Sequence, residues 1–193
     1  NIGRSAIRNL LTENSTYAYI LFLDCDILPA KKDFLLLYCE YISKENQVIV
    51  GGRQYRKEDC TPQTKLHYHY GSVREAKAAD WRNLKPYDAF VTGNFCIKKS
   101  IVQKIKFEDT LTEYGHEDTL FGVELKKNGI EVLHIDNPVI HIGVESNQVF
   151  LEKQVKAVTN LAFLISQGYD LGSVSLYAFY LKLARLHVLS LFI

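Results

Sequence analysis

The sequence lacks several features that would assign it to a class at once. Its 193 residues contain no methionine and one tryptophan, and no run of about 18 apolar residues predicts a transmembrane helix. With 47% hydrophobic and 23% charged residues, it is not a collagenous, coiled-coil or disordered chain. The formal net charge of +1 creates no overall field that would attract nucleic acid, so no nucleic-acid partner is predicted. A globular chain of roughly one domain's length remains.

The four cysteines show no pairing pattern. Cys25, Cys39, Cys60 and Cys96 form neither a C-x-x-C pair nor a zinc-ribbon spacing. Scattered cysteines in a chain without a signal peptide are typical of reduced thiols in the cytosol. The sequence therefore predicts four free thiols and a cytoplasmic protein.

Apolar runs and helical periodicities alternate along the chain. Tyr17–Leu23 is an unbroken apolar run, typical of a strand that is covered on both faces. Gly3–Leu11 and Lys31–Ser43 have helical periodicity, whereas residues 53–86 are basic, aromatic and irregular. Further strands are predicted at Gln47–Val50, Ala89–Ile97, Glu131–Ile135 and Val139–Ile142, and a further helix at Glu117–Asn128. The alternation predicts an α/β fold with helices flanking a mixed, mostly parallel sheet.

Two carboxylates follow the first predicted strand. Asp24 and Asp26 lie where open α/β sheets bind ligands, at the carboxyl end of a strand. Their oxygens suit Mg²⁺ or Mn²⁺, which proteins commonly share with a diphosphate. The alternative is that both acids form a turn before the next helix.

A second acidic pair opens the helix predicted at Glu117. Glu117 and Asp118 follow Tyr114-Gly115-His116, and carboxylates at a helix N-terminus are stabilised by the helix dipole. Ordinary capping is therefore one interpretation. A general base is the other, because the carboxylate stays ionised beside a loop that substrate can reach.

The histidines are less informative. His141 lies on a short predicted strand, where a lone histidine is more often a structural residue than a ligand. His67 and His69 alternate on a strand-like stretch and could chelate a metal. We interpret this pair as surface or lid residues rather than a zinc site.

Taken in order, these segments resemble the family 2 glycosyltransferases with the GT-A fold, which is Rossmann-like. The similarity is carried by Asn1–Asn9 (NIGRSAIRN), Asp24-Cys25-Asp26, Gly93-Asn94, Gly115–Asp118, Lys126–Ile130 and the strand of His141. The Gly-x-Glu-Asp element is similar to the branch shared by β-galactosyltransferases and chondroitin polymerases. The resemblance covers about residues 1–145.

The resemblance implies a donor site and a metal site. Asp24 would contact the ribose or base of the nucleotide. Asp26 would hold Mn²⁺ or Mg²⁺ against the donor diphosphate, with His141 as a further metal ligand. The remaining donor-binding residues would be Arg8, Gly93 and Asn94.

The resemblance also implies the reaction. Asp118 would be the catalytic base, while Glu117 and Tyr114 would hold the acceptor, Tyr114 as a platform for a sugar ring. The activity would be inverting transfer of a sugar from a nucleotide donor, with a UDP-sugar favoured, to a glycan or lipid-linked acceptor. Bacterial polysaccharide biosynthesis is the expected context.

The resemblance further implies a domain organisation. Residues 1–145 would form a GT-A core without its first strand, which in the family precedes the segment that starts at Asn1. Residues 146–193 would be a helical extension of the same domain. The tail at residues 171–193 is interpreted as a docked helix, with a peripheral contact at the inner face of the membrane as the alternative.

Two other functions stay open at this point. The first is a catalytically silent GT-A-like binding module. The second is a metal-dependent nucleotidyltransferase, whose acids also follow strands, although the sequence has no glycine-rich loop to cradle phosphates.

Overall fold

The computed structural model describes residues 2–109 and 114–186. In this part of the chain the strands are β1 (Tyr19–Leu23), β2 (Ile27–Pro29), β3 (Val48–Val50), β4 (Arg53–Gln54), β5 (Asn94–Lys98), β6 (Val132–His134) and β7 (Val139–His141). The α-helices are α1 (Arg4–Asn14), α2 (Phe34–Ser43), α3 (Lys65–Tyr70), α4 (Ala79–Asn83), α5 (Lys99–Ile105), α6 (Glu117–Lys127), α7 (Asn147–Ser166) and α8 (Ser175–Arg185). A 3-10 turn at Lys57–Asp59 and a π-helical turn at Gly71–Glu75 complete the irregular segment.

The strands form two sheets. The larger has the order β1-β5-β3-β6, in which β5 is antiparallel to β1 and β3, and β3 is parallel to β6. Three of these four strands share one direction, and two of the three neighbouring pairs are antiparallel because β5 lies between β1 and β3. The predicted mixed sheet is confirmed, with less parallel pairing than expected. The smaller sheet has the order β2-β7-β4.

Helices cover both faces of the larger sheet. Side chains alternate along each strand, so Phe22 and Phe95 face one apolar cluster, with α5 and α6. Ile49 and Cys96 face the other, with α2. The expected α/β architecture is confirmed. Both faces of β1 are covered as predicted, but Leu23 is 43% exposed because β1 is an edge strand of this sheet.

Several boundaries differ from the prediction. The strand expected at Ala89–Ile97 begins only at Asn94, because the preceding residues form turns. His67 and His69 lie on α3 rather than on an extended segment. Gly129, which follows the helix predicted at Glu117–Asn128, has a left-handed φ of 64°. All four cysteines are free, as expected.

The C-terminal helices pack against the sheet domain. Leu161 and Leu164 of α7 join Leu120 of α6 and Leu171 in one apolar cluster. The division at residue 145 stays a prediction. None of the helices among residues 2–109 and 114–186 has the length and apolarity to span a bilayer.

Candidate active site

Several of the predicted site residues meet at one edge of the larger sheet. Asp24 directly follows β1, and Gly93 directly precedes β5. Because β5 is antiparallel to β1, Leu23 pairs with Asn94, and the Asp24 amide donates to the Gly93 carbonyl at 3.2 Å. The amino end of β5 thus lies beside the carboxyl end of β1. Residues separated by about 70 positions are brought into contact.

Helix α1 reaches into this edge with two arginines. Arg4 and Arg8 are four residues apart and share one face of the helix. Nη2 of Arg8 donates to Oδ1 of Asp24 at 3.2 Å, and Nη1 of Arg4 donates to Oε1 of Glu117 at 3.3 Å. Arg8 is only 8% exposed, and its Nη1 has no hydrogen-bond partner within the described part of the chain. Helix α1 therefore links the predicted donor and acceptor acids.

Asp26 and His141 are adjacent, as the resemblance implied. Ile27 pairs with His141 across β2 and β7, and the Ile142 amide donates to the Asp26 carbonyl at 2.9 Å. This register leaves Nε2 of His141 3.6 Å from Oδ2 of Asp26. Burial, and then the positive charge of Arg53, lower the pKa of His141, so the imidazole is neutral at physiological pH. A neutral imidazole is the form that binds a metal ion.

The Asp26–His141 pair fits a shared divalent cation. Nδ1 of His141 is buried and has no hydrogen-bond partner in the described residues. Those residues contain no group of three or more potential metal-ligating side chains. Mg²⁺ commonly binds through one or two carboxylates and completes its shell with substrate phosphates and water. Two protein ligands therefore fit a cation that a diphosphate also holds.

A sharp turn positions Asp118 at the start of α6. Gly115 and His116 both adopt left-handed φ values, 102° and 70°, which only glycine adopts without strain. The side chain of the N-cap residue, His116, makes no capping hydrogen bond. Oδ1 of Asp118 accepts from the Thr119 amide in the first turn at 2.7 Å, so capping stays open as an interpretation of the acidic pair beside that of a general base.

The surroundings of Asp118 favour its protonated form. Burial, followed by the negative charge of Glu117, raises the pKa of Asp118 to about 6. The positive charges of Arg53 and Arg8 act in the opposite direction. A carboxylate with a pKa nearer neutrality takes up a proton more readily than an ordinary aspartate. The role of Asp118 as the catalytic base stays a prediction, with which this direction of the pKa shift is compatible.

Helix α7 supports this turn from behind. Nδ2 of Asn160 donates to the Gly115 carbonyl at 3.1 Å. A Cβ atom at Gly115 would lie only 2.8 Å from the Cβ of Ala157. Glycine is therefore needed here for close packing as well as for its φ. Sequence reasoning did not assign Ala157 or Asn160 a role, because their helix is distant in the chain.

Tyr114 is surrounded by cations. The Arg4 guanidinium lies 4.7 Å from the ring centroid, and Nζ of Lys153 lies 5.0 Å from it. Burial raises the pKa of Tyr114. Its role as a sugar platform stays a prediction, and a stacked sugar would have to share the ring with Arg4 and Lys153.

Asn94 is buried beneath the site. It is 1% exposed, its Nδ2 donates to the carbonyls of Gly52 and Asn137, and its Oδ1 accepts from the Tyr38 hydroxyl at 2.6 Å. This arrangement does not support the predicted direct contact with the donor. Asn94 instead links the loops at Gly52 and Asn137 to Tyr38 of α2.

Sequence reasoning assigned no role to Arg53, which lies beside Gly93 and Asp24. Arg53 follows β3 after Gly51-Gly52, and its Nη1 donates to Oε2 of Glu75 at 3.2 Å. The available signal was a charged residue just past the carboxyl end of a buried strand.

His67 also lies closer to the site than expected. Its ring is 5.4 Å from that of His141 and stacks on Phe150 at 5.0 Å. His67 and His69 lie two residues apart on a helix, where such residues do not face each other. The pair therefore does not form the strand-like chelate considered from the sequence.

Comparisons with known proteins show partial similarity. No family model matches the chain. Chondroitin synthase from Escherichia coli is 28% identical over 156 residues, 64% of this chain and 22% of that protein. Two solved structures of TarS from S. aureus, one of residues 1–349, match with a TM-score of 0.47 and 16% identity. They cover 76% of this chain, and 40% and 24% of the respective TarS chains. The chain thus spans less than a quarter of the curated relative.

Proposed function

We propose that this chain is a metal-dependent, inverting glycosyltransferase that moves a sugar from a nucleotide donor, with a UDP-sugar favoured, to a glycan or lipid-linked acceptor. One observation carries the proposal. Helix α1 contacts both acidic pairs, because Arg8 donates to Asp24 and Arg4 donates to Glu117, next to Asp118. This geometry supports one shared site for the predicted donor acid and the predicted base. The similarity to chondroitin synthase supports the same function.

The proposed reaction is a single displacement. A carboxylate oxygen of Asp118 takes the proton from an acceptor hydroxyl, whose oxygen attacks the anomeric carbon of the donor. The bond between that carbon and the diphosphate oxygen breaks, and its electron pair leaves with the nucleotide. Asp26 and His141 would hold Mn²⁺ or Mg²⁺, which supplies Lewis-acid stabilisation to the leaving group when bound.

The other residues position the two substrates. Asp24, held by Arg8, binds the ribose or base of the donor. Gly93 has no side chain, so Arg53 and Asp24 can lie close beside it on the donor side of the site. Glu117, fixed by Arg4, orients the acceptor hydroxyl near Asp118. Burial leaves Glu117 only 9% exposed, so this acid is restrained before substrate arrives.

Calorimetric titration with UDP and Mn²⁺ tests the function. We expect UDP to bind the chain with Mn²⁺ present and more weakly when EDTA removes the metal. No binding under either condition would overturn the transferase assignment. Binding without transfer to any glycan acceptor would favour the silent binding module, and a uridylylated product would favour a nucleotidyltransferase.

The rate of transfer should depend on pH through Asp118. The base works only when ionised, and its pKa is about 6. We therefore expect kcat/KM to rise about tenfold per pH unit below pH 6 and to level off above it. Initial rates between pH 4.5 and 8.5, at saturating metal, measure the profile.

Glu117, the acid next to Asp118, provides a second test of this pH profile. The charge of Glu117 raises the pKa of Asp118, so Glu117→Gln should shift the rising limb to lower pH. Glu124→Gln removes an acid from the same helix, where it pairs with Lys127 at 2.9 Å, and should leave the limb in place. An unshifted limb in Glu117→Gln would contradict the assignment of Asp118.

Helix α8 bears on the membrane contact. Leu176, Phe179 and Tyr180 are about half exposed, and Lys182 and Arg185 lie in the last turn. Apolar and aromatic groups beside basic residues suit an anionic membrane surface. The peripheral contact at residues 171–193 stays a prediction, as does the cytoplasmic location, and residues 187–193 lie outside the described part.

A further inference from the structure

Arg53 is a restrained cation within an acidic site. Its side chain is 15% exposed, and Nη1 is paired with Glu75. Nη2 lies where a Cβ atom at Gly93 would be, and the same Cβ atom would be 2.9 Å from Oδ2 of Asp24. Arg53 and Asp24 thus flank one point beside Gly93, at the carboxyl end of β1.

The charge of Arg53 reaches the other groups of the site. Arg53 pairs with Val139 across β4 and β7, two residues before His141, and its charge lowers the pKa of Asp118. From these contacts we infer that Arg53 binds the diphosphate of the donor and stabilises the negative charge that develops on it as it leaves. This inference rests on the proposed function and adds a residue to it.

The surroundings of Arg53 differ from those of a structural arginine. The guanidinium of Arg82, which is 4% exposed, donates to the carbonyls of Val50, Gly51 and Ile135. Arg82 therefore joins backbone segments. Arg53 is instead paired through Nη1 with the side-chain carboxylate of Glu75. A guanidinium has five N–H donors, so an arginine held in this way can still donate to an incoming diphosphate.

Two further residues hold Arg53 in place. The Tyr55 hydroxyl donates to Oε2 of Glu75 at 2.5 Å, the same oxygen that accepts from Arg53. The ring of Tyr55 fits only because Gly71 has no side chain, since a Cβ there would overlap it. Glu75 and Tyr55 are positioning residues that act through Arg53.

The departure of the diphosphate needs no proton from Arg53. The electron pair of the broken C–O bond stays on the diphosphate oxygen, and arginine remains protonated throughout because its pKa is above about 12. Arg53 contributes hydrogen bonds and charge at the atom where charge develops. A lysine would keep the charge but lose the planar pair of donors.

Paired titrations with UDP and uridine test this inference. Charge-assisted hydrogen bonds are worth enough that Arg53→Gln should weaken UDP binding about 10–100-fold. Uridine, which has no phosphate, should bind Arg53→Gln and wild type equally. Arg53→Lys should be intermediate, and Tyr55→Phe should cause a smaller loss of the same kind.

Two further variants control this experiment. Arg56→Gln removes an arginine that pairs with Asp59 at 3.0 Å. It should leave the affinities for UDP and uridine unchanged. Glu75→Gln removes the carboxylate that pairs with Nη1 of Arg53, and it should reproduce the selective loss of UDP affinity in weaker form. Unchanged UDP binding by Arg53→Gln, or an equal loss for UDP and uridine, would overturn the inference while leaving the proposed function intact. A wild-type chain that binds no UDP would overturn both.

Discussion

Asp118→Asn will nearly abolish sugar transfer and will also stabilise the folded chain above neutral pH. Removing a general base costs roughly 10²–10⁴-fold in rate, because asparagine cannot accept the proton of the acceptor. The free energy of unfolding should instead increase. The pKa of Asp118 is raised from 3.8 to about 6 on folding, so the ionised carboxylate is less favourable in the folded than in the unfolded state.

The sign of this effect fixes its dependence on pH. The favourable contribution of a carboxyl with a raised pKa is fully present below pH 3.8 and is lost as the pH rises through about 6. Asparagine avoids this loss, which corresponds to roughly 1–3 kcal/mol. We therefore expect Asp118→Asn to unfold several degrees above wild type at pH 8 and at the same temperature near pH 4.

Differential scanning calorimetry across this pH range, combined with transfer assays, measures both effects. Glu124→Gln is the control on the same helix and should change neither activity nor the pH dependence of the unfolding temperature. Full transfer activity in Asp118→Asn would remove Asp118 from the mechanism. An unfolding temperature below wild type at pH 8 would contradict the proposed destabilisation by the buried charge.

Asp26→Asn should uncouple nucleotide binding from the metal. Its Oδ2 lies 3.6 Å from Nε2 of His141, and asparagine offers a neutral oxygen in place of a charged ligand. Even a group outside the first coordination shell costs roughly 10–100-fold in metal affinity when it is removed. We expect at least this loss of UDP affinity with Mn²⁺ present and little change in EDTA, measured by calorimetry.

Asp33→Asn is the matched control for this prediction. Asp33 is exposed and precedes α2, where it makes no capping hydrogen bond with its side chain. It should bind UDP and Mn²⁺ like wild type. If Asp26→Asn retained the full effect of Mn²⁺ on UDP affinity, the metal would have to be held by other residues.

Local pattern was sufficient for the elements that carry the acids. The apolar run before Asp24 became β1, and the helix after His116 became α6, because each has a clear periodicity and a clear end. The resemblance implied that Asp26 and His141 share a metal ion. The two side chains are close because Ile27, next to Asp26, pairs with His141 across β2 and β7. Short elements within residues 53–86 were not predicted, since their order comes from tertiary contacts.

The histidines and Asn94 show where local pattern is insufficient. His67 was assigned to an extended stretch, yet it lies on α3 against Phe150, more than 80 positions away. Asn94 was assigned to the donor, yet its amide is engaged by Gly52 and Asn137. Spacing along a chain reports neither the direction of a side chain nor the partners that bury it.

The sequence alone established that this is an α/β chain with acids at strand ends. The evidence was its alternating strands and helices, together with the absence of long apolar runs and of cysteine motifs. Tertiary structure decided which charges act together. The antiparallel insertion of β5 brings Gly93 beside Asp24, and Arg53 enters the space that glycine leaves. Burial then raises the pKa of Asp118. These are long-range effects of packing, so no local pattern could have shown them.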